Sequence, residues 1–94
     1  MIQNNKLTNT VVIPIKTLQN RDISLEARGL LAFILSLAPK WNLSVSLLMD
    51  MTGEGYDVIR ASVQELEKYG YIVRKRRNKE GKIISTEWEV YTRV

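Results

Sequence analysis

Apolar residues recur at helical spacing between residues 24 and 38. Ser24 precedes the pattern as a candidate N-cap, and Glu26 in the first turn complements the helix dipole. Pro39 would end the helix, because the residue before a proline avoids αR geometry. The spacing predicts one broad, mostly buried helix face made of Ala27, Leu30, Leu31, Ile34, Leu35 and Ala38. Gly29 lies inside this helix at a cost of up to ~1 kcal/mol relative to alanine, and we expect the close approach of another element to explain it.

Two further helices are predicted after the first. Ser44 or Ser46 is placed to cap a short helix, and the two glycines within residues 52–55 break it with a tight turn. A third helix is predicted over residues 56–69, with Gly70 as its C-terminal stop. The residues expected to face the core are Leu47, Leu48 and Met51 in the short helix and Ile59, Val63 and Leu66 in the third.

The chain before the first helix has a different pattern. Residues 10–18 are β-branched and apolar, with Pro14 among them. Because proline removes a ladder donor, this segment is predicted to be a short edge strand or an extended arm. The polar residues 1–9 are expected to form a flexible lead.

A β-hairpin is predicted after Gly70. Residues 78–81 (NKEG) resemble a type I turn with Gly81 in the αL bulge position. The strand pairs that follow are Arg76 with Ile84, Arg74 with Thr86, and Ile72 with Trp88. Alternation then directs three residues toward the core, namely Ile72, Trp88 and Val90. Glu87 and Glu89 lie near the base, where they are placed to pair with neighbouring cations.

This order of elements is that of a winged helix-turn-helix. The predicted fold class is α+β, with three helices, a C-terminal β-hairpin wing and a short N-terminal strand. Residues 10–94 are expected to form a single domain, because 94 residues can bury only one core.

Composition excludes several kinds of chemistry. The chain has no histidine and no cysteine, so it cannot form a zinc finger or a nucleophile–histidine pair. It has no glycine-rich phosphate loop and no clustered carboxylates in an apolar setting. We therefore expect no enzyme activity, no catalytic residue, no metal, no cofactor and no small-molecule ligand. No apolar run approaches the roughly 20 residues of a membrane span, and the N-terminal residues do not resemble a secretory signal, so a cytoplasmic location is expected.

Positive charge is concentrated in the predicted hairpin. Residues 70–82 carry six cations against one acid, Glu80, a net charge of +5 in a chain whose total is +4. Clustered lysine and arginine on a projecting element is typical of a double-stranded DNA contact, because phosphates attract such clusters. The candidate wing contacts are Arg74, Lys75, Arg76, Arg77, Asn78, Lys79 and Lys82. Such contacts would straddle the backbone and minor groove, and they carry little sequence information.

The third helix supplies the candidate base contacts. With its apolar residues inward, the exposed residues are Tyr56, Asp57, Arg60, Ala61, Gln64 and Lys68. Arg60 and Gln64 are one turn apart and suit bidentate pairing with guanine and adenine edges, respectively. Lys68 is better placed for backbone phosphate. An ordinary solvated helix face is the alternative interpretation of the same residues.

Some residues do not fit a simple DNA contact. Glu54 and Asp57 lie at the helix end that would approach DNA, where a phosphate would repel them. Asp57 has an alternative role as a first-turn dipole partner or a cytosine N4 acceptor, whereas Glu54 has none. Tyr56, Trp41 and Trp88 also suit base stacking by a single-strand binder, although core or turn packing is the simpler role of both tryptophans.

Two long stretches of the chain resemble a known family. IPIKTLQNRDISLEARGLLAFILSLAPKWNLSVSLL and EGYDVIRASVQELEKYGYIVRKRRNKEGKI resemble the N-terminal winged-helix module of replication proteins from plasmids and phages of low-GC Gram-positive bacteria. These are replisome-organiser and initiator-like proteins, related in design to DnaD-type primosomal proteins. The resemblance covers roughly residues 11–92. It implies binding to double-stranded DNA at an origin or operator, through the third helix and the wing.

The expected function is therefore double-stranded DNA binding in the replication initiation or control of a plasmid, phage or other mobile element. A protein-interaction winged helix that scaffolds a replisome or conjugation complex is one alternative, with replication or conjugation proteins as partners, and a small transcriptional regulator is another. If the chain forms a homodimer, its N-terminal segment with Val11, Val12 and Ile13 is the expected seam. Whether the chain is a complete protein or an excised N-terminal domain stays open.

Overall fold

The computed structural model describes residues 9–37 and 42–92, without the side chains of residues 83–85. This part of the chain forms four α-helices followed by a two-stranded antiparallel hairpin. The helices are α1 (Ile15–Leu18), α2 (Leu25–Leu35), α3 (Val45–Thr52) and α4 (Tyr56–Lys68), and the strands are β1 (Ile72–Lys79) and β2 (Lys82–Val90). The predicted α+β class is confirmed. The predicted flexible lead lies outside the described residues except for Asn9.

The predicted N-terminal strand is wrong, because residues 15–18 form a single helical turn and residues 10–14 belong to no strand. The carbonyl of Pro14 accepts hydrogen bonds from the N–H groups of Thr17 and Leu18, at 3.0 and 3.1 Å. Tertiary contacts hold the turn in place. The buried Thr17 hydroxyl donates to the carbonyl of Thr92, and Arg28 Nη1 on α2 donates to the carbonyl of Leu18 at 3.0 Å. These hydrogen bonds give the Thr17 hydroxyl and the Leu18 carbonyl partners outside any sheet, although the β-branched composition had predicted a strand here.

Helix α2 begins where the sequence predicts and ends earlier. Ser24 is the N-cap, and its Oγ accepts a hydrogen bond from the N–H of Ala27 at 3.1 Å. The N–H and hydroxyl of Ser24 both donate to the carboxylate of Glu65 on α4, which fastens the start of α2 to that helix. The helix ends at Leu35, and Ser36 forms its C-cap with a hydroxyl that donates to the carbonyl of Phe33. Serine side chains compete in this way with the helical hydrogen-bond ladder. The predicted continuation of the helix is wrong at Ser36 and Leu37, and Ala38 and Pro39 lie outside the described residues.

Local signals set the ends of α3 and α4. Of the two candidate caps, Ser44 is the one used, and its Oγ accepts from the N–H of Leu47 at 3.0 Å. Gly53 ends α3 with φ of +75°. Gly70 stops α4 with φ of +83°, and the N–H of the next residue, Tyr71, donates to the carbonyl of Leu66 at 2.8 Å. This is the Schellman arrangement, in which a left-handed residue closes the last turn, so the predicted glycine stop is confirmed.

The core lies between α2, α3, α4 and the base of the hairpin. Its buried apolar residues are Ile23, Ala27, Leu30, Leu31, Ile34, Leu48, Ile59, Val63, Leu66, Tyr71 and Ile72. Trp88 and Val90 of β2 pack against this cluster. The predicted inward face of α4 and the core side of the hairpin are therefore confirmed, as is that of α2 except for Ala38, which lies outside the described residues.

The predicted hairpin register is wrong by two residues. The loop is Glu80-Gly81, with φ of +55° and +78°, and two successive positive φ values define a type I′ turn rather than the expected type I turn. This loop is one residue shorter than expected, and a bulge between Arg77 and Asn78 shifts the pairing by one more residue. The observed pairs are Ile72 with Val90, Arg74 with Trp88, and Arg76 with Thr86. Because side chains alternate with a period of two, a shift of two residues keeps every side chain on its expected face.

Candidate functional site

The hairpin has two faces of different character, which we name by their position. The core face carries Ile72, Arg74 and Arg76 on β1 with Thr86, Trp88 and Val90 opposite them. The outer face carries Val73, Lys75 and Arg77 of β1 with Glu87 and Glu89 of β2. The cations that look alike in the sequence are therefore divided between these faces and the turn.

Arg74, on the core face, joins the hairpin to α4. Its Nε and Nη2 donate to the two carboxylate oxygens of Glu67, at 2.8 and 2.7 Å. Its guanidinium also lies over the ring of Trp88, with 5.3 Å from Cζ to the ring centroid. The hydrogen bonds with Glu67 raise the pKa of Arg74, and its side chain is only 21% exposed. Arg74 is therefore occupied by internal contacts and fixes the hairpin against the last turns of α4.

The outer face is electrically balanced. Lys75 Nζ lies 3.1 Å from an oxygen of Glu89, and Arg77 Nη2 lies 2.5 Å from an oxygen of Glu87, as the sequence predicted for the two acids. The hydrogen bond from Lys75 lowers the pKa of Glu89, and a second hydrogen bond from the Tyr91 hydroxyl lowers it further. Such exposed pairs contribute only ~0–1 kcal/mol to stability. Their larger consequence is that two of the hairpin cations are neutralised by adjacent acids.

The remaining hairpin cations lie at or near the turn. Arg76, Lys79 and Lys82 are exposed, and no acid of the described residues forms a salt bridge with any of them. Glu80 in the turn is the acid nearest to them in the sequence. Asn78 is exposed beside them. We call Arg76, Lys79 and Lys82 the tip cations, because this end of the hairpin carries the positive charge that internal ion pairs do not offset.

Helix α4 exposes all six residues that the sequence assigned to its outer face, and Tyr56 is 53% exposed. Arg60 and Gln64 lie one turn apart along this face, and Lys68 lies over the ring of Tyr69 with 5.5 Å to the centroid. Asp57 is in the first turn, where its charge complements the helix dipole.

The hairpin is attached at the edge of that exposed face. Glu67, which holds Arg74, is seven positions after Arg60 and three after Gln64. Residues seven apart lie on the same side of an α-helix, and residues three apart are neighbours. The base of the hairpin therefore meets α4 on the side that carries Arg60.

Sequence reasoning missed the acids that hold these elements together. Glu65 and Glu67 are alternate residues in the string ELEKYG, yet one binds the start of α2 and the other binds Arg74. The available signal for Glu67 was an acid near the end of α4, followed by the glycine stop and then by Arg74 on the first strand. Trp88 was expected in the core, and its contact with Arg74 was not foreseen.

The N-terminal segment expected as a dimer seam lies partly at the surface. Val11 and Val12 are exposed and Ile13 is half-buried, so dimerisation stays a prediction. Trp41 lies outside the described residues. Within the described ranges, no helix has the length and apolar character needed to span a bilayer.

Comparison of the chain with protein-family models, with curated proteins and with solved structures yields no match in any of the three. The structure itself defines a small α+β protein in which a basic hairpin is fastened by an ion pair to the edge of an exposed helix face.

Proposed function

We propose that this protein is a winged helix-turn-helix that binds double-stranded DNA, with α4 as its recognition helix and the hairpin as its wing. The main support is the ion pair between Glu67 and Arg74, which holds the cationic hairpin beside the side of α4 that carries Arg60. A helix and a basic ribbon joined in this way would contact adjacent parts of one duplex. The role that the family resemblance suggests is replication initiation or control of a mobile element.

The exposed face of α4 would read bases. Arginine suits the O6 and N7 acceptors of guanine, and glutamine suits the N6 and N7 groups of adenine, so Arg60 and Gln64 are the proposed base contacts. Lys68 near the helix end would contact a phosphate. Tyr56 and Asp57 in the first turn would lie beside the same groove, where Asp57 suits a cytosine amine.

The wing contribution would come mainly from the three tip cations. Lys75 and Arg77 would have to give up Glu89 and Glu87 before they could bind phosphate, and Arg74 would have to give up Glu67. Arg76, Lys79 and Lys82 have no such internal partner among the described acids. Clustered, unpaired cations release counterions from DNA on binding, which is the main source of sequence-independent affinity.

A salt series with a random-sequence duplex tests this proposal. We expect Arg76→Ala/Lys79→Ala/Lys82→Ala to weaken binding to every duplex and to reduce the slope of log K against log salt by about 2 to 3, since each lost phosphate contact removes ~0.9. Fluorescence anisotropy of a labelled duplex provides the measurement. Failure of the parent protein to bind duplex at low salt, or equal binding by the triple variant, would overturn the proposal.

The outer face provides a matched control. The variant Lys75→Thr/Arg77→Thr/Glu87→Thr/Glu89→Thr removes both ion pairs without changing the net charge, and threonine suits a strand. We expect it to bind duplex with the affinity and salt slope of the parent. A loss of affinity as large as that of the triple variant would show that Lys75 and Arg77 are phosphate contacts after all.

A further inference from the structure

A groove lies between α2, the turn that joins α3 to α4, and the first turns of α4. Its volume is about 450 Å³, within the range of about 300–1,000 Å³ that is usual for ligand pockets. Its apolar lining consists of Leu30, Phe33, Met51, Val58 and Ile59. Val58 and Glu67 are nine positions apart, about two and a half helical turns, so the groove and the hairpin lie on different sides of α4. The groove is therefore separate from the proposed wing contact.

Gly29 lines this groove, and no neighbouring element packs closely enough against it to require a glycine. Glycine destabilises a helix interior relative to alanine, and we expected another element to approach this position closely. A Cβ built at Gly29 instead meets no atom within 4 Å. The position faces the open space of the groove, where the absence of a side chain leaves the backbone of α2 accessible. An occupant of the groove that rests on α2 would explain the glycine.

The charges beside the groove indicate what kind of occupant fits. Glu26 on α2 and Glu54 in the turn between α3 and α4 line it and are exposed, and no lysine or arginine of the described residues lines it. Two carboxylates beside an apolar surface disfavour a phosphate backbone and favour a cation carried on an apolar segment. Glu54 is also the residue for which DNA binding provides no role.

We propose that this groove binds a short amphipathic segment of a partner protein, with apolar side chains on the groove floor and a lysine or arginine beside Glu26 and Glu54. This is the helix-in-groove mode of peptide recognition, in which apolar anchors recur one helical turn apart. The tip cations, Arg60 and Gln64 do not line the groove, so a bound segment would leave these side chains accessible.

Selection from a random peptide library displayed on phage, with the protein immobilised, tests the proposal. We expect enrichment of peptides that combine apolar residues three or four positions apart with a lysine or arginine. The enriched consensus, made as a labelled synthetic peptide, should lose at least about tenfold in affinity for Gly29→Leu, whose side chain fills the groove, while that variant binds duplex like the parent. Circular dichroism melting verifies that the variant is folded.

A second pair of variants tests the charges without filling the groove. Glu26→Gln/Glu54→Gln should weaken the synthetic peptide several-fold, whereas Asp22→Asn/Asp50→Asn, with the same change in charge at exposed positions that do not line the groove, should not. No enrichment, or equal peptide binding by the parent and Gly29→Leu, would overturn the proposal. Self-association of the parent that Gly29→Leu abolishes would also overturn it, because a second copy would then be the occupant. None of these three results bears on duplex binding, which is measured separately.

Discussion

Arg74 differs from the cations that follow it in the sequence, because internal contacts occupy its guanidinium. In the sequence it is the first of four consecutive cations, and in the structure its guanidinium is divided between Glu67 and Trp88. Bidentate geometry and a stacked aromatic ring both favour arginine over lysine, whose point charge cannot form two parallel hydrogen bonds. Its neighbours Lys75, Arg76 and Arg77 are all exposed.

We expect Arg74→Ala to lower the free energy of unfolding by about 1–2 kcal/mol, because it removes a half-buried bidentate pair and a cation–π contact. Glu67→Gln should cost less, since Arg74 keeps Trp88. Urea unfolding of the parent, both single variants and the double variant measures the coupling between the two residues. Strictly additive effects would contradict an interaction between them.

Gly29 leads to the opposite expectation for stability. Since a Cβ at this position meets no atom within 4 Å, Gly29→Ala should raise the free energy of unfolding by up to ~1 kcal/mol through helix propensity alone. For a domain of this size that corresponds to a rise of about 4–8 °C in the melting temperature. Thermal unfolding followed by circular dichroism tests it, and a lower melting temperature would mean that the position is tightly packed.

At the scale of elements, the hairpin turn departs from the usual residue preference. A type I′ turn requires positive φ at both central residues, a conformation that asparagine and glycine adopt readily, yet Glu80 occupies the first of them at φ of +55°. The turn and the bulge after Arg77 together set the register and so decide which cations face which acids. The strained conformation of Glu80 therefore helps to determine where the charges of the hairpin lie.

Glu80→Asn should stabilise the hairpin by roughly 0.5 kcal/mol, because asparagine tolerates the left-handed region better than glutamate does. It should also strengthen duplex binding, because it removes the acid beside the tip cations. Thermal unfolding and anisotropy at matched salt measure the two effects. Higher stability without tighter duplex binding would mean that the charge of Glu80 does not affect the proposed wing contact. Glu80→Gln is the control, because it removes the charge and retains the strain of the positive φ.

At the scale of the whole molecule, charge is sorted by position. The tip of the hairpin is positive, its outer face is balanced, and the groove on the other side of α4 is negative. The net charge of +4 describes none of these surfaces. A duplex and a basic peptide would each meet a surface of opposite charge.

Base recognition on this surface has its own signature. We expect Arg60→Ala or Gln64→Ala to reduce discrimination at one or two base pairs by about 1–3 kcal/mol, with little change in affinity for random duplex. Selection of bound sequences from a random duplex library compares the parent with each variant, and any half-site symmetry in the selected sites would also report dimerisation. A uniform loss across all sequences would instead assign both residues to phosphate contacts.

The sequence by itself determined the elements whose signals are local. Ser24, Ser44, Gly53 and Gly70 mark helix ends through contacts with residues at most five positions away, and the apolar spacing of α2 and α4 selects their buried faces. The existence of the hairpin and the inward direction of Trp88 followed from alternation, which survives the error in register.

Only the tertiary structure decided how the charges are used. The pairs of Arg74 with Glu67, Lys75 with Glu89, and Ser24 with Glu65 join residues 7, 14 and 41 positions apart. Other contacts between distant residues hold residues 15–18 as a helical turn, since Thr17 donates to the carbonyl of Thr92 and Arg28 donates to the carbonyl of Leu18. Such partners depend on how the elements pack, and neither composition nor periodicity encodes the distance between residues that the fold brings together.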